Sequence, residues 1–597
     1  MILTKTNVII ILYIDNLLII IDNIVKIVLL EGFYMSKSKK NNKKKENKKE
    51  KIKKAKESFT LYYLLIAFII FIIFGLIYGF KVLNPKNVNW MFASDYLDVL
   101  QHYVGFEAFR FGNWTIPIGL SNAISYPSYI SVIYTDSIPL LAIFFKIFSF
   151  MLPKTFQHIG LYGLTCFILQ GLLAAKIIRK YTDSKINIIV SAILFSIIPS
   201  MLFRMFYHTA LASQWLLLLS LETIFLYNEF NNDKKIYFIW GLIAFLCSSI
   251  HIYYLLMCGI ILVGYILLDI LNTKKIVRSI ILLGDYLIVA ALTILILGGF
   301  AGKATTDDFG FGSFSYNLNG LFNSQGWSVF LKELPMQPNQ YEGFAYLGLG
   351  VIFLSIIAII LTVIWYIKDK TIFKQHKNLL FSLLLITIIS TIVAASPKVY
   401  IGTHLLFELK LPAFINNIWG IFRSTGRLIW PVIHIITLLS LIIIIKRLTW
   451  KQVLLILVIC TIIQFVDIGN KLLEYNDFYT KNYVINDENN LYDYDYLKLA
   501  LTKKKINLLV FASLDTTDQE MMFYADWAIN NNIKTNRMHF ARTFFNESLN
   551  DYTSKLLEKK DEHTLYLFET ESECMDNELY CYQLPDSNVI GYINPLE

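Results

Sequence analysis

The sequence predicts an α-helical polytopic membrane protein of about eleven spans, followed by a small C-terminal α/β domain outside the membrane. Three observations lead there. Apolar runs long enough to cross a bilayer, about 20 residues each, recur from Leu61 to about residue 468. The 597-residue chain is 55% hydrophobic with a mean hydropathy of +0.52, whereas a soluble chain of this length divides into domains with polar helix faces. After about Tyr475 the continuous apolar runs stop, and Asn, Asp, Glu and Tyr become frequent.

Residues 1–34 are rich in Ile and Leu but interrupted by Asp15, Asp22 and Lys26. They lack the basic start, unbroken apolar run and small-residue cleavage site of a secretory signal. They read either as an amphipathic segment or as an extension ahead of a start at Met35. Residues 35–57 form a Lys-rich tail: 12 Lys against 3 Glu between Ser36 and Glu57 account for the whole net charge of +9. Beside a first span, such a run is a cytoplasmic anchor on anionic lipid rather than a nucleic-acid site. No nucleic-acid partner is expected.

The transmembrane domain is read as residues 58–470. The first span, about Leu61–Phe80, leads into a long external loop, 81–156. Within it, Ile138–Met151 is apolar but short and bounded by Pro139 and Pro153, as in an interfacial or re-entrant segment. Ten further spans follow at about 157–178, 186–203, 209–228, 236–250, 252–271, 279–299, 344–366, 378–396, 429–445 and 452–468. Their short basic loops then all fall inside. This places the N-terminus in the cytoplasm and the C-terminus outside, with the protein in the plasma membrane of a bacterial cell.

The extracytoplasmic domain is read as residues 475–597. Leu508–Ala512 and Leu565–Phe568 have the pattern of buried strands. A helix capped by Asp515 or Thr516 runs to Asn530, and another spans about 547–559, so strands and helices alternate. The domain contains no glycine-rich phosphate loop. Cys574 and Cys581 could close a local disulfide or stay reduced. Cys166, Cys247, Cys258 and Cys460 lie in apolar runs as small buried hydrophobes. The chain has no CxxC, so zinc-ribbon and dithiol redox motifs have no support.

Candidate chemistry begins just after the first span. In a helix, Asp95, Asp98 and His102 fall at i, i+3 and i+7 and share one face. Such a face could hold a divalent cation or supply a general base; it could equally be a solvated polar face. Asp136 lies where the chain re-enters the apolar zone, and reads as a third candidate acid or as a helix cap before Pro139. Basic groups collect at the expected outer boundary: Arg204, His208, His251, Lys303, Arg423 and Arg427. Arginine is disfavoured there, so its presence points to an anionic partner such as a lipid phosphate, which guanidinium groups bind bidentately. A salt bridge to an outer-loop acid is the other reading. His251, beside Tyr253 and Tyr254, reads as structural.

Four stretches carry a resemblance: Gln101–Pro117 (QHYVGFEAFRFGNWTIP), Tyr134–Leu140 (YTDSIPL), Tyr341–Gly350 (YEGFAYLGLG) and Phe422–Pro431 (FRSTGRLIWP). Over about 90–470 the chain is similar to an uncharacterised bacterial multi-pass family. The order of first span, acidic external loop, interfacial helix, further spans and external α/β tail also resembles the GT-C class of membrane glycosyltransferases. That resemblance implies a polyprenyl-phosphate-linked sugar as donor and a cell-envelope glycan or glycolipid as acceptor. It implies that Asp95 or Asp98 activates the acceptor hydroxyl. The outer basic groups Arg204, His208, Arg423 and Arg427 would hold the lipid phosphate. Two rival functions remain open on the sequence, a flippase or transporter for lipid-linked glycan and a non-catalytic membrane scaffold. A flippase would carry charged or broken helices near the midplane, whereas the ionisable groups here cluster at one boundary.

Overall fold

The computed structural model describes residues 46–94, 97–230, 232–301, 310–483, 494–503, 505–513, 518–540 and 549–596. The expected caps Asp515 and Thr516, the candidate acid Asp95 and Lys303 lie outside these residues.

Among the described residues, eight helices are long and apolar enough to cross a membrane. They are Leu61–Tyr78, Ile159–Ile178, Ile252–Thr273, Ile276–Ile296, Leu349–Lys368, Lys377–Ala395, Thr425–Arg447 and Trp450–Asp467. The other three expected spans are helical but do not meet that description. The stretch 186–203 breaks at Pro199 into Lys185–Ser196 and Pro199–Arg204, because proline has no N–H to continue the ladder. The stretch 209–228 starts as a 3-10 turn and leaves only Trp215–Phe225 as α-helix. Helix Asp233–Ile250 opens on Asp233, Lys234 and Lys235. The helix starting at Thr425 is the most enclosed, with 78% of its span buried, whereas those starting at Ile276 and Leu349 are 28% buried and form the periphery.

The first loop folds over one end of this bundle. Helix α1 (Leu97–Phe111) is almost wholly buried. Helix α2 (Pro139–Ile147) is the short apolar segment expected at the interface, and leaves Phe144 and Ile147 exposed. Gly105 on α1 is where the following loop crosses: a Cβ there would meet the Thr135 Cβ at 2.4 Å and the Ser137 Oγ at 2.9 Å. The Ser137 hydroxyl then donates to the carbonyl of His102 at 2.8 Å, which fixes the loop against the helix.

The C-terminal region carries a five-stranded mixed sheet in the order β2–β1–β3–β5–β4. Its strands are β1 (Leu508–Phe511), β2 (Lys534–Thr535), β3 (Thr564–Phe568), β4 (Tyr580–Gln583) and β5 (Val589–Tyr592). β1 is parallel to β2 and β3, and the last pairs are antiparallel. Helix α3 (Asp518–Asn530) packs on α1, with Phe523 stacked on Phe92 at 5.4 Å between centroids. The sheet edge also joins the first loop. The Thr535 N–H donates to the Ala123 carbonyl at 2.7 Å, and the Tyr126 N–H donates to the Thr535 carbonyl at 2.9 Å. Cys574 and Cys581 are disulfide-bonded, and the four remaining cysteines are buried and free.

Candidate functional site

α1, the loop after it, the helix ends near residues 208 and 251, and the loops around Glu342 and Arg423 converge on one cavity of about 570 Å³. Asp98, Asp136, His208, Glu342, Arg423 and Arg427 all reach it. One further wall residue, His539, comes from the C-terminal region.

Two glycines assemble the ion pairs at its base. A Cβ on Gly426 would lie 2.6 Å from the Cα of Gly343, so the two loops touch backbone to backbone. This brings Glu342 beside Arg427, whose Nε donates to Glu342 Oε2 at 2.8 Å. Arg204 Nη2 donates to the same oxygen at 2.7 Å. Burial alone would raise the Glu342 carboxyl, but the two guanidinium groups outweigh it and hold Glu342 well below the usual carboxylate range.

The four basic groups expected to hold phosphate therefore stand in different situations. Arg204 is fully buried against Glu342 and does not line the cavity. Arg427 reaches the cavity but shares the same carboxylate. His208 faces Asp136. Arg423 lines the cavity half-buried and has no carboxylate partner among the described residues.

Asp98, in the first turn of α1, points into the cavity. Burial pushes its carboxyl up to about 6, with Glu342 and Asp136 adding to the rise and Arg427 and His539 opposing it. It is thus an acid that titrates near neutrality.

Asp136 is not a helix cap. The cap position of α2 is Ile138, which makes no side-chain capping bond. Asp136 instead adopts the left-handed region, φ 52°, a strained conformation for a side chain with a Cβ. From there its two oxygens face His208 Nε2 at 3.4 Å and His251 Nε2 at 3.5 Å. His102 stacks edge-on to His208 with 4.8 Å between ring centroids. Of the two described members of the trio expected to bind a cation, Asp98 and His102, only His102 belongs to the close-set group, His102, Asp136 and His208, whose ligand atoms all lie within 4.8 Å of one another. Burial lowers His102 and His251 to about 3 and holds His208 well below its usual value, which favours the neutral imidazoles.

Sequence reasoning missed Glu342 and His539. Glu342 sits inside the matched stretch YEGFAYLGLG, and an acid in so apolar a run signals a buried partner. Nothing in the sequence ties His539 to the membrane region.

No curated protein matches this chain. Two solved structures of an oligosaccharyltransferase from Archaeoglobus fulgidus are similar at 12% identity. The archaeal oligosaccharyltransferase AglB in complex with an inhibitory peptide and a dolichol-phosphate has a TM-score of 0.39 over 86% of this chain and 70% of that one. The oligosaccharyltransferase in complex with Zn and sulfate has a TM-score of 0.42 over 89% and 73%. A family model described as a domain of unknown function (DUF6311) matches residues 67–469, nearly the stretch over which the four sequence motifs occur.

Proposed function

The chain belongs to the DUF6311 family, and from that premise we propose that it is an inverting membrane glycosyltransferase of GT-C type. It moves a sugar from a polyprenyl-phosphate donor to a hydroxyl of a cell-envelope acceptor on the outer face. The observation that carries the reading is the presence, in the lining of one cavity, of both Asp98 and the cation Arg423, which has no carboxylate partner among the described residues.

The chemistry needs both. As the acceptor oxygen bonds to the anomeric carbon, the Asp98 carboxylate takes its proton. The bond from that carbon to the phosphate oxygen breaks, and the phosphate leaves with the electron pair beside Arg423. A carboxyl near 6 is largely ionised at pH 7 yet basic enough to accept the proton. Phe422 lines this cavity and also an apolar groove of about 370 Å³ with Leu256, Ile392, Ile418 and Trp419. A cavity lined by charged groups that shares a wall residue with an apolar groove suits a ligand with an anionic head and a hydrocarbon chain. Asp95 remains a second candidate for the base on its sequence position.

The test compares envelope glycans from cells with the wild-type protein, with Asp98→Asn and with none. Loss of one sugar decoration in the last two is expected. Unchanged glycans in the null strain would overturn the reading, and accumulation of a lipid-linked precursor on the inner face would favour a flippase.

A further inference from the structure

We infer that His102, Asp136 and His208 form a binding site for one transition-metal ion of the zinc class, with His251 positioning the carboxylate. The inference stands on geometry and holds whether or not a sugar is transferred.

Three residues from separate parts of the chain bring their ligand atoms within 4.8 Å of one another. Tetrahedral bonds of about 2.0–2.1 Å to nitrogen and oxygen place neighbouring ligand atoms about 3.3–3.4 Å apart. His208 Nε2 and Asp136 Oδ2 are 3.4 Å apart, so this edge is already at ligand spacing.

A second observation is independent of that spacing. His102 is 1% exposed, and neither of its ring nitrogens has a hydrogen-bond partner. The Nδ1 of His208 is likewise buried without one. Buried imidazole nitrogens are ordinarily paired, because an unsatisfied polar atom loses its hydration without replacement. Here an unpaired nitrogen of His102 sits against a carboxylate and a second imidazole, which is what a metal ligand looks like when only protein atoms are considered.

His251 has a different part. Its Nδ1 accepts the Tyr253 N–H at 3.2 Å, so in the neutral ring Nε2 carries the proton and cannot ligate. That nitrogen lies 3.5 Å from Asp136 Oδ1. Its attraction would orient one carboxylate oxygen and leave the other for the ion, as outer partners do in histidine–carboxylate sites. Two imidazoles and one carboxylate suit zinc better than magnesium, which prefers oxygen ligands and retained waters. Three protein ligands leave a fourth position for water or another ligand. Asp136 and His208 both line the cavity, so the site borders it.

The full chain, purified in detergent after incubation with zinc and removal of loose metal, should retain about one zinc per chain by elemental analysis. His208→Ala should retain at least tenfold less, and His251→Gln an intermediate amount. Cobalt(II) added to the metal-stripped wild type should give the visible d–d bands of a four- or five-coordinate site. Equal zinc in wild type and His208→Ala would overturn the inference. So would the absence of cobalt bands in the wild type, which needs no variant to fold. Glycan output is read separately, so failure of sugar transfer leaves these readouts unaffected.

Discussion

Gly343 and Gly426 meet without a side chain between them, and this contact holds Glu342 within hydrogen-bonding reach of Arg427. A methyl group at Gly426 would fall 2.6 Å from backbone, which cannot swing aside. Gly426→Ala should therefore lower thermal stability in detergent by about 1–3 kcal/mol, the range for overpacked sites. An unchanged melting curve would mean that the loops separate without loss.

Glu342→Gln should destabilise more. Arg204 is 0% exposed, and removing the charge opposite it leaves a buried cation uncompensated, at about 3–5 kcal/mol. Melting of the variant beside wild type at neutral pH measures this directly.

Arg423→Ala should separate binding from stability. The side chain is half-buried and has no carboxylate partner among the described residues, so the melting temperature should stay as in wild type. Losing a charged contact to a lipid phosphate costs about 2 kcal/mol at the lower end for such pairs, or roughly a 30-fold higher donor requirement. Titration of donor lipid in a transfer assay checks both halves.

Asp98 sets the expected pH dependence. Its carboxyl titrates near 6, and only the ionised form can take a proton, so transfer should rise as pH increases through about 6 and level off above it. Asp98→Asn should reduce the rate by at least about 100-fold, the lower bound for removing a general base. The stability effect runs the other way. A carboxyl raised in the folded state favours folding while protonated, and that contribution is lost as pH rises through about 6. Asp98→Asn should melt at or above wild type at pH 8, a comparison that distinguishes a missing base from a damaged fold.

The spans were readable because membrane-length apolar runs are set by local composition, and eight helices carry that signal in full. The division of 186–203 was not expected, although Pro199 carried the signal for it. β1, β3 and α3 of the C-terminal region follow the expected alternation. What spacing could not supply was long-range pairing. Asp136 meets residues 72 and 115 positions further along the chain, and His539 enters the same cavity from beyond the last span. For Arg204 and Arg427 the sequence left phosphate binding and a salt bridge both open, because the acid between them, Glu342, belongs to a third loop. No periodicity in a single segment encodes such meetings.

The Cys574–Cys581 bond closes a short loop around α-helix Glu571–Asp576. Loop-closure entropy for so few residues is worth about 2–3 kcal/mol. Replacing both cysteines with alanine should lower the stability of the C-terminal region by that order, and alkylation before and after reduction should label two further sulfurs only after reduction.

The presence of His539 in the cavity wall bears on when the protein can work during its own synthesis. A ribosome makes the chain from the N-terminus, so every membrane helix can insert before residue 539 exists. Until then the cavity lacks the part of its wall that His539 supplies. His539 follows β2, whose Thr535 is hydrogen-bonded to Ala123 and Tyr126 of the first loop. A chain truncated after the last span would carry every acid and arginine of the cavity and still be unfinished, so the order of translation itself withholds a complete site from incomplete copies.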